Sequence, residues 1–197
     1  IRHEKNDREY HTLMLIKEFS NDIGKDVDIL YYHMKGVYSQ ELIKHNKETI
    51  TKWRKYLEYF NIEKWKDCVE QLKTYDTVGC LYINMWFEKY GESRMYAGNF
   101  WWSHSDYIKN LPDLNLTDID EWPMHLETWI TKNPYPHSWY NFYTAVQDNT
   151  WDFYSYFPDE SVWKDKKEDS ICVVTSHPNY RATEETTIKC IESLKAT

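Results

Sequence analysis

The sequence has few of the residues that bind nucleic acid, span membranes or cradle phosphates. Lysine and arginine total 24 against 32 aspartate and glutamate, a net charge of −8. This balance argues against sequence-independent binding of nucleic acid, which needs a basic face. No apolar run approaches the length of about 18 residues that a transmembrane helix needs. The five glycines are isolated, so no glycine-rich phosphate-binding loop is present.

Cysteine is also scarce, and its spacing excludes the common zinc motifs. Cys68, Cys80, Cys172 and Cys190 form no Cys-x-x-Cys pair, so we expect no structural zinc site. The charged first residues, IRHEKNDREY, are not typical of a signal peptide. We therefore expect free, buried thiols in a reducing compartment and a cytoplasmic location.

Aromatic residues, by contrast, are abundant. They make up 17% of the chain, with 10 tryptophans and 17 tyrosines. Such a composition favours binding of flat ligands or sugars, because rings cover the apolar face of a pyranose. An aromatic-rich core is the alternative, and the composition leaves both open.

Helical and strand patterns alternate through the first half of the chain. Apolar spacing predicts a helix over 9–22, and a β-prone run predicts a buried strand over 29–32. Two helices are predicted within 40–75, with Asn61 as the N-cap of the second. A second strand is predicted over 76–87.

The alternation continues with shorter elements. We predict a helix over 105–111 with Ser103 as its cap, and another over 121–130. The ring-rich stretch 133–158 is interpreted as a helix and an irregular wrap. Together the patterns predict an α/β fold, a mixed central β-sheet flanked by helices.

The composition changes near the end of the chain. Residues 1–162 are predicted to form one domain, followed by a charged hinge over 163–170. Residues 171–197 then predict a strand and a helix, which is the opening unit of an α/β domain. This unit either begins a second domain or supplies the last strand of the first.

Polar residues follow the first predicted strand at its carboxyl end, where ligands of open α/β sheets bind. His33 and Lys35 point to the same side of an extended segment. A lysine there neutralises a diphosphate, and an imidazole binds a metal or a phosphate. Gly36 allows close approach of the backbone. The alternative is a strand end that emerges into solvent.

The segment GNFWW carries groups suited to a sugar. Gly98 offers backbone as a floor, and the amide of Asn99 both donates and accepts hydrogen bonds. Trp101 offers a flat ring, whereas its neighbour Trp102 is expected to point into the core. The segment therefore predicts either a sugar pocket or a packed corner.

Glu127, in HLETWI, is the predicted catalytic carboxylate, with Asp106 and Asp120 as rivals. An inverting sugar transferase needs a general base that removes the proton of the acceptor hydroxyl. His137, in PYPHSW, is a candidate metal ligand or phosphate contact, and a satisfied surface or core histidine is the alternative.

Two further acidic sites are ambiguous. Asp76, before the second strand, either binds a metal or caps the adjoining turn. The literal Asp-x-Asp of Asp26 and Asp28 lies before a strand, at the amino edge of the sheet. We interpret that pair as turn residues, because ligands gather at the carboxyl edge.

Four segments in order carry a family resemblance: ILYYHMKGV, WRKYLEYFNIEKWKDCVEQLKTYDTVGC, YAGNFWWSHSDYIKNLP and HLETWI. Their order resembles GT-A-type glycosyltransferases of bacteria and of large, chlorella-virus-like DNA viruses. The resemblance implies transfer of a hexose or deoxyhexose from a nucleotide-diphosphate sugar, most simply a UDP-sugar, to a glycan or glycoprotein acceptor. It also implies Mn²⁺ or Mg²⁺ and, for a viral protein, capsid glycan synthesis in the host cytoplasm.

The chain departs from that family at two places. The segment before residue 29 lacks the strand-turn-helix that holds the nucleotide base, and the usual Asp-x-Asp position is occupied by His33-Met34-Lys35. The stretch VVTSHPNYRATEETTIKCIESL resembles the start of another glycosyltransferase-like domain. The alternative function is a non-catalytic carbohydrate-binding module of a larger enzyme.

Overall fold

A computed structural model of the chain describes residues 9–33, 40–87, 91–116, 124–133, 138–142 and 156–164. Helices and strands alternate through these ranges. The helices are α1 (Tyr10–Asp22), α2 (Gln40–Glu58), α3 (Trp65–Leu72), α4 (Ser105–Ile108), α5 (Met124–Thr128) and α6 (Glu160–Trp163). The strands are β1 (Asp28–Tyr31), β2 (Thr77–Cys80), β3 (Tyr82–Phe87), β4 (Gly91–Tyr96), β5 (Trp101–His104) and β6 (Trp139–Phe142).

Four strands form the central sheet in the order β1-β5-β2-β6. Strand β5 is antiparallel to both β1 and β2, whereas β6 is parallel to β2. The carboxyl ends of β1, β2 and β6 therefore meet at one edge, together with the start of β5. The predicted mixed central sheet is confirmed. Strands β3 and β4 form a separate antiparallel hairpin.

Each face of the central sheet is covered by helices. One core joins α2, α3 and α6 to strand residues such as Val78, Cys80 and Phe142. The other joins α1, α4 and α5 to Tyr31, Trp101 and other residues of the opposite strand face. Successive strand side chains point to opposite faces, so β5 and β6 contribute residues to both cores.

Helix α1 confirms the predicted helix, and a lysine lies on its buried face. Leu13, Lys17 and Ser20 are buried, whereas Leu15 and Phe19 are exposed. The Lys17 ammonium reaches the backbone oxygen of Leu111 and the Asp113 carboxylate, which satisfies a charge beneath the helix. Hydrophobic periodicity does not reveal this buried face, because its central residue is a lysine.

The junction between α2 and α3 also differs from the prediction. A π-helical turn over Tyr59–Glu63 follows α2, and Asn61 lies inside it rather than at the N-cap of α3. The Asn61 amide donates to the Leu57 carbonyl at 2.9 Å. Trp65, the first residue of α3, is half exposed. Asn61 therefore closes the preceding turn instead of beginning the next helix.

The sheet contains two strands that the sequence did not predict. Strand β5 occupies the position predicted as the lead-in to a helix, with Ser103 inside it, and β6 lies in the stretch interpreted as a helix and wrap. The predicted strand over 76–87 divides at Leu81, which has a φ of 54°. A left-handed residue interrupts a strand, so the chain changes direction there.

The described residues test parts of the remaining predictions. Trp163, predicted as the first hinge residue, is buried against Tyr56 and Tyr59 and belongs to the first core. The predicted unit 171–197 lies outside the described residues. Cys68 and Cys80 are buried free thiols, as expected. Among the described helices, none combines the length and apolarity needed to cross a membrane.

Candidate functional site

The candidate site lies at the carboxyl edge of the central sheet, where β1 ends beside the start of β5. Tyr31 pairs with Trp101 in the last register position of this ladder. His33 therefore emerges next to the turn that leads into β5, and Glu9, just before α1, approaches from the helix layer. Three chain segments meet at this point, and we call Glu9, Tyr31, His33 and Asn99 the edge cluster.

The turn that precedes β5 has unusual backbone geometry. Gly98 has a φ of 96° and Asn99 a φ of 56°, both in the left-handed region. The Asn99 backbone N–H donates to the Tyr96 carbonyl at 2.8 Å, which closes the turn. Asparagine tolerates this region better than most residues, because its short polar side chain forms local hydrogen bonds.

The Asn99 amide is buried and hydrogen-bonded at both its nitrogen and its oxygen. Its nitrogen donates to Glu9 Oε2 at 2.6 Å, and its oxygen accepts from Trp101 Nε1 at 2.9 Å. Only 1% of the residue is exposed. The predicted direct contact between Asn99 and a sugar does not fit this burial. The amide instead orients the Glu9 carboxylate.

Trp101 is likewise a core residue. The side chain is completely buried and stacks on Tyr31, with ring centroids 5.0 Å apart. Its neighbour Trp102 is the less buried of the two and donates to the Asn61 carbonyl at 2.8 Å. The complete burial of Trp101 does not fit its predicted place in the wall of a sugar pocket, whereas Trp102 packs against the core of α2, α3 and α6, as expected.

His33 holds the accessible side of the edge cluster. Its Nε2 lies 2.9 Å from the Gly98 carbonyl oxygen, and its Nδ1 lies 3.1 Å from Glu9 Oε1. These two acceptors match the two N–H groups of a protonated imidazole. The side chains of His33 and Glu9 are 25% and 21% exposed. A ligand at this edge can therefore reach both groups.

Tyr31 forms the floor of the edge cluster. Burial is the largest cause of a pKa raised well above the ordinary tyrosine value, and the charge of Glu9, a hydrogen bond to Glu9 and the charge of Glu127 add to it. Tyr31 thus stays a neutral phenol that donates to a carboxylate.

Four of the predicted site residues are thus gathered in one region: His33, Gly98, Asn99 and Trp101. Glu127 is half-buried on α5, and its charge contributes to the raised pKa of Tyr31. Lys35, Gly36 and His137 lie outside the described residues, so their roles stay predictions.

Asp76 lies at the opposite edge of the sheet. Its carboxylate Oδ2 accepts from the Ser138 backbone N–H at 2.7 Å and from the Ser138 hydroxyl at 3.0 Å. Strand β2 separates it from the carboxyl edge, by about 13 Å at 3.3 Å per residue. The structure therefore does not bring Asp76 together with His33, and the capping alternative describes its contacts.

The literal Asp-x-Asp lies at the amino edge of the sheet, as interpreted, but only Asp26 precedes the strand, because Asp28 is the first residue of β1. Asp26 Oδ1 accepts from the Ser105 hydroxyl and from the Asp106 backbone N–H, both at 3.0 Å. Asp28 Oδ1 lies 3.0 Å from His104 Nδ1. Asp106, a rival for the catalytic carboxylate, pairs with Lys109 in the first turn of α4.

Glu9 is the site residue that sequence reasoning missed. Its partners His33 and Asn99 lie 24 and 90 positions further along the chain. An acidic residue just before a helix is common, because it complements the helix dipole, so Glu9 gave no distinctive signal. The asparagine after a glycine was the available clue, since it marked the left-handed turn.

The comparisons with known proteins identify a family but no function. Residues 1–137 match the family described as Domain of unknown function (DUF8361), and the chain belongs to that family. Searches among curated proteins and among solved structures each found no match. The candidate site, from Glu9 to Glu127, lies entirely within the matched residues.

Proposed function

We propose that the edge cluster and Glu127 form the acid–base part of a glycosyltransferase site that takes a nucleotide-diphosphate sugar, most simply a UDP-sugar. The observation that carries the proposal is the contact between the Glu9 carboxylate and the His33 imidazole at the carboxyl edge, beside the buried phenol of Tyr31, whose pKa the charge of Glu127 also raises. Ligands of open α/β sheets bind outside this edge. Such groups are the usual means of proton transfer in enzymes.

The proposed roles follow from the contacts. Glu127 removes the proton of the acceptor hydroxyl as the new glycosidic bond forms. His33, with Lys35 two residues further on, offsets the negative charge that develops on the departing diphosphate. Asn99 does not contact the sugar but holds Glu9, which in turn orients His33.

The predicted divalent cation has a weaker basis in the described residues. No group of three histidine, cysteine or acidic side chains in the described ranges is arranged to hold a metal, and Asp76 lies at the other edge. The described ligands do not fit the predicted set, so no proposed step passes through a metal. Mn²⁺ or Mg²⁺, the capsid glycan pathway and the cytoplasmic location stay predictions.

Binding and transfer assays on the full chain test the proposal. Calorimetry with UDP and with a panel of UDP-sugars, each with and without Mn²⁺, is expected to reveal a bound nucleotide. Transfer to glycan acceptors is expected to fall at least about 100-fold in Glu127→Gln, because the general base is lost. Circular dichroism should remain native.

Glu70→Gln is the matched control, since Glu70 is an exposed carboxylate on α3 that pairs with Lys73. Its transfer rate should equal that of the wild type. Wild-type activity in Glu127→Gln, or absence of binding and transfer with every donor, would overturn the proposal.

The second candidate is a non-catalytic glycan-binding module, and the exposed ring of Tyr32 favours it. Tyr32 is 59% exposed and directly precedes His33. An exposed ring next to polar side chains suits a sugar face. This function predicts saccharide binding without nucleotide, lost in Tyr32→Ala and retained in Tyr156→Ala, another exposed tyrosine in the described residues.

A further inference from the structure

We propose that His104, at the amino edge of the central sheet, is a pH-sensitive clamp that joins the end of α3 to the start of β1 while its imidazole is protonated. Its Nε2 lies 2.6 Å from the Leu72 carbonyl oxygen, and its Nδ1 lies 3.0 Å from Asp28 Oδ1 and 3.4 Å from Asp26 Oδ2. We call these four residues the His104 clamp. It is separate from the edge cluster and does not depend on the glycosyltransferase proposal.

The Leu72 carbonyl fixes one of the two ring protons. A carbonyl oxygen only accepts hydrogen bonds, so Nε2 carries a proton and donates it to Leu72. Leu72 is the last residue of α3, and the last turn of that helix has no basic side chain. The carbonyl groups at the C-terminus of a helix carry partial negative charge, which favours a cation beside them. This contact therefore favours the charged form of the ring.

The two aspartates favour the second ring proton. His104 Nδ1 is buried and makes no hydrogen bond of good geometry within the described ranges, although both carboxylates lie within ion-pair distance. A neutral ring with its proton on Nε2 would turn the lone pair of Nδ1 towards two negative charges. Protonation of Nδ1 replaces this repulsion with attraction, because an opposite charge nearby favours the charged form. Both ring nitrogens are therefore best satisfied by an imidazolium.

The other charged side chains of the neighbouring elements have partners elsewhere or lie in solvent. Lys25, in the loop before β1, is exposed. Asp26 Oδ1 accepts from the Ser105 hydroxyl and the Asp106 backbone N–H, which leaves Oδ2 towards the ring. The remaining pairs are Lys73 with Glu70 at the end of α3, Lys109 with Asp106 on α4, and Asp76 with Ser138 before β2. Asp26 and Asp28 therefore supply the carboxylates that face the ring in the part of the chain that the structure describes.

The pH range of the clamp follows from the chemistry of histidine. A histidine in an unfolded chain loses its proton near about pH 6.5. Because the folded state favours the charged ring, the clamp stabilises the fold fully below about pH 6.5, and this contribution disappears as the folded protein loses the proton at higher pH. The His104 side chain is 25% exposed, so the ring exchanges protons with solvent. Deprotonation keeps the Leu72 contact but releases the two aspartates at the start of β1.

Urea denaturation of the full chain at about pH 5.5 and about pH 8, on either side of the histidine titration, tests the proposal. His104→Gln keeps an N–H donor for Leu72 but removes the charge. We expect its unfolding equilibrium constant, divided by that of the wild type, to be at least about threefold larger at the lower pH, the order expected for a partly exposed ion pair. Comparing the two proteins at each pH cancels the contributions of the other histidines.

Asp28→Asn removes one carboxylate and keeps the ring, so its ratio to the wild type should also be larger at the lower pH, and this variant decides should His104→Gln not fold. Asp67→Asn is the control, because Asp67 is a half-exposed carboxylate on α3 that pairs with Lys64. Its ratio should be the same at both pH values.

Two results would overturn the proposal. One is a ratio for His104→Gln or Asp28→Asn that is equal at the two pH values or larger at the higher one. The other is a protonated fraction of the His104 ring at about pH 7, measured by proton–nitrogen NMR, that does not exceed the fraction in the urea-unfolded chain.

Discussion

The two edges of the central sheet hold the same chemical pair in different surroundings. In each, a histidine ring bridges a backbone carbonyl and a carboxylate: His33 with Glu9 at the carboxyl edge, and His104 with Asp28 at the amino edge. The two histidine side chains are equally accessible. Composition alone therefore does not distinguish a candidate site from a structural junction.

The carboxylates of the amino edge serve the local backbone. Asp26 receives the Asp106 backbone N–H at the start of α4, and Asp76 receives the Ser138 backbone N–H before β6. Carboxylates that accept N–H groups at a helix start or a turn are a common structural device. The literal Asp-x-Asp belongs to this edge, where Asp26 accepts backbone and hydroxyl hydrogen bonds and Asp28 begins β1.

The carboxyl edge differs in its backbone. Among the described residues, the non-glycine residues in the left-handed region are Leu81, after β2, and Asn99, before β5, and both lie at this edge. Each such residue costs on the order of 1–3 kcal/mol, and such strain clusters at functional sites. Strain that holds Asn99 against Glu9 is therefore a better pointer to a site than an acidic motif.

The largest expected effect tests whether Trp101 supports the carboxyl edge from within. Trp101→Ala should lower the free energy of unfolding by about 3–5 kcal/mol, because a fully buried indole is lost and the Asn99 oxygen loses its donor. Urea denaturation measures it. Tyr32→Ala, at the exposed ring nearby, should stay within about 0.5 kcal/mol. Equal effects of the two changes would show that Trp101 is not a core residue.

The next effect compares glycines before the two β-strands that form the β1–β5 ladder. A Cβ on Gly98 would lie 2.6 Å from Leu57 Cδ1, whereas a Cβ on Gly24 would meet nothing within 4 Å. Both have positive φ. We expect Gly98→Ala to cost about 2–4 kcal/mol and Gly24→Ala about 1 kcal/mol in unfolding free energy. A similar cost at both positions would show that contact with Leu57 adds nothing to the cost of Gly98→Ala.

A smaller effect tests Asp76 at the amino edge. Asp76→Ala should cost about 1–3 kcal/mol, because the Ser138 N–H and hydroxyl lose their acceptor. Nucleotide and Mn²⁺ affinity, measured by calorimetry, should not change. Asp67→Ala, at an exposed carboxylate on α3, is the control for both measurements. Loss of Mn²⁺ binding in the Asp76 variant alone would restore its predicted role as a metal ligand.

The smallest expected effect is the pH dependence of the stability that Asp26 contributes at the amino edge. Burial alone would raise the pKa of Asp26, but hydrogen bonds from Asp106 and Ser105 and the charge of His104 outweigh it and lower the pKa. The carboxylate therefore stabilises the fold above about pH 4, and this contribution disappears as the pH falls through the lowered pKa.

Asp26→Asn should accordingly cost about 0.5 kcal/mol or less near neutral pH, since the group is partly exposed. The difference from the wild type, measured by urea denaturation across pH, should shrink below about pH 4. A difference that grows on acidification would reverse the assigned sign.

The sequence predicted the elements whose pattern is local. Helix α1 and strand β1 follow from helical spacing and from a short β-prone run, and both occur within a residue or two of the predicted bounds. Strands β5 and β6 were missed, because their identity depends on partners 22 and more residues away. Short aromatic segments such as WYNF suit a core strand or a packed wrap equally well.

The candidate site was predictable only in part for the same reason. His33 was recognised at the carboxyl end of a strand, and the pair Gly98 and Asn99 was recognised as special. Which of Trp101 and Trp102 would be more buried depended on the register of β5, which the sequence does not reveal. Glu9 depended on a contact across 90 residues.

Strand β6 has a practical consequence for anyone trimming this protein. The family match stops at residue 137, yet β6 begins at Trp139 and pairs in parallel with β2. A fragment cut at the family limit would expose the backbone groups of β2 along one side and remove five aromatic side chains from the two cores: Trp139, Tyr140, Phe142, Phe157 and Trp163. Unpaired strand edges of this kind promote aggregation. The folding unit is therefore longer than the homologous segment, and expression should extend at least through Trp163.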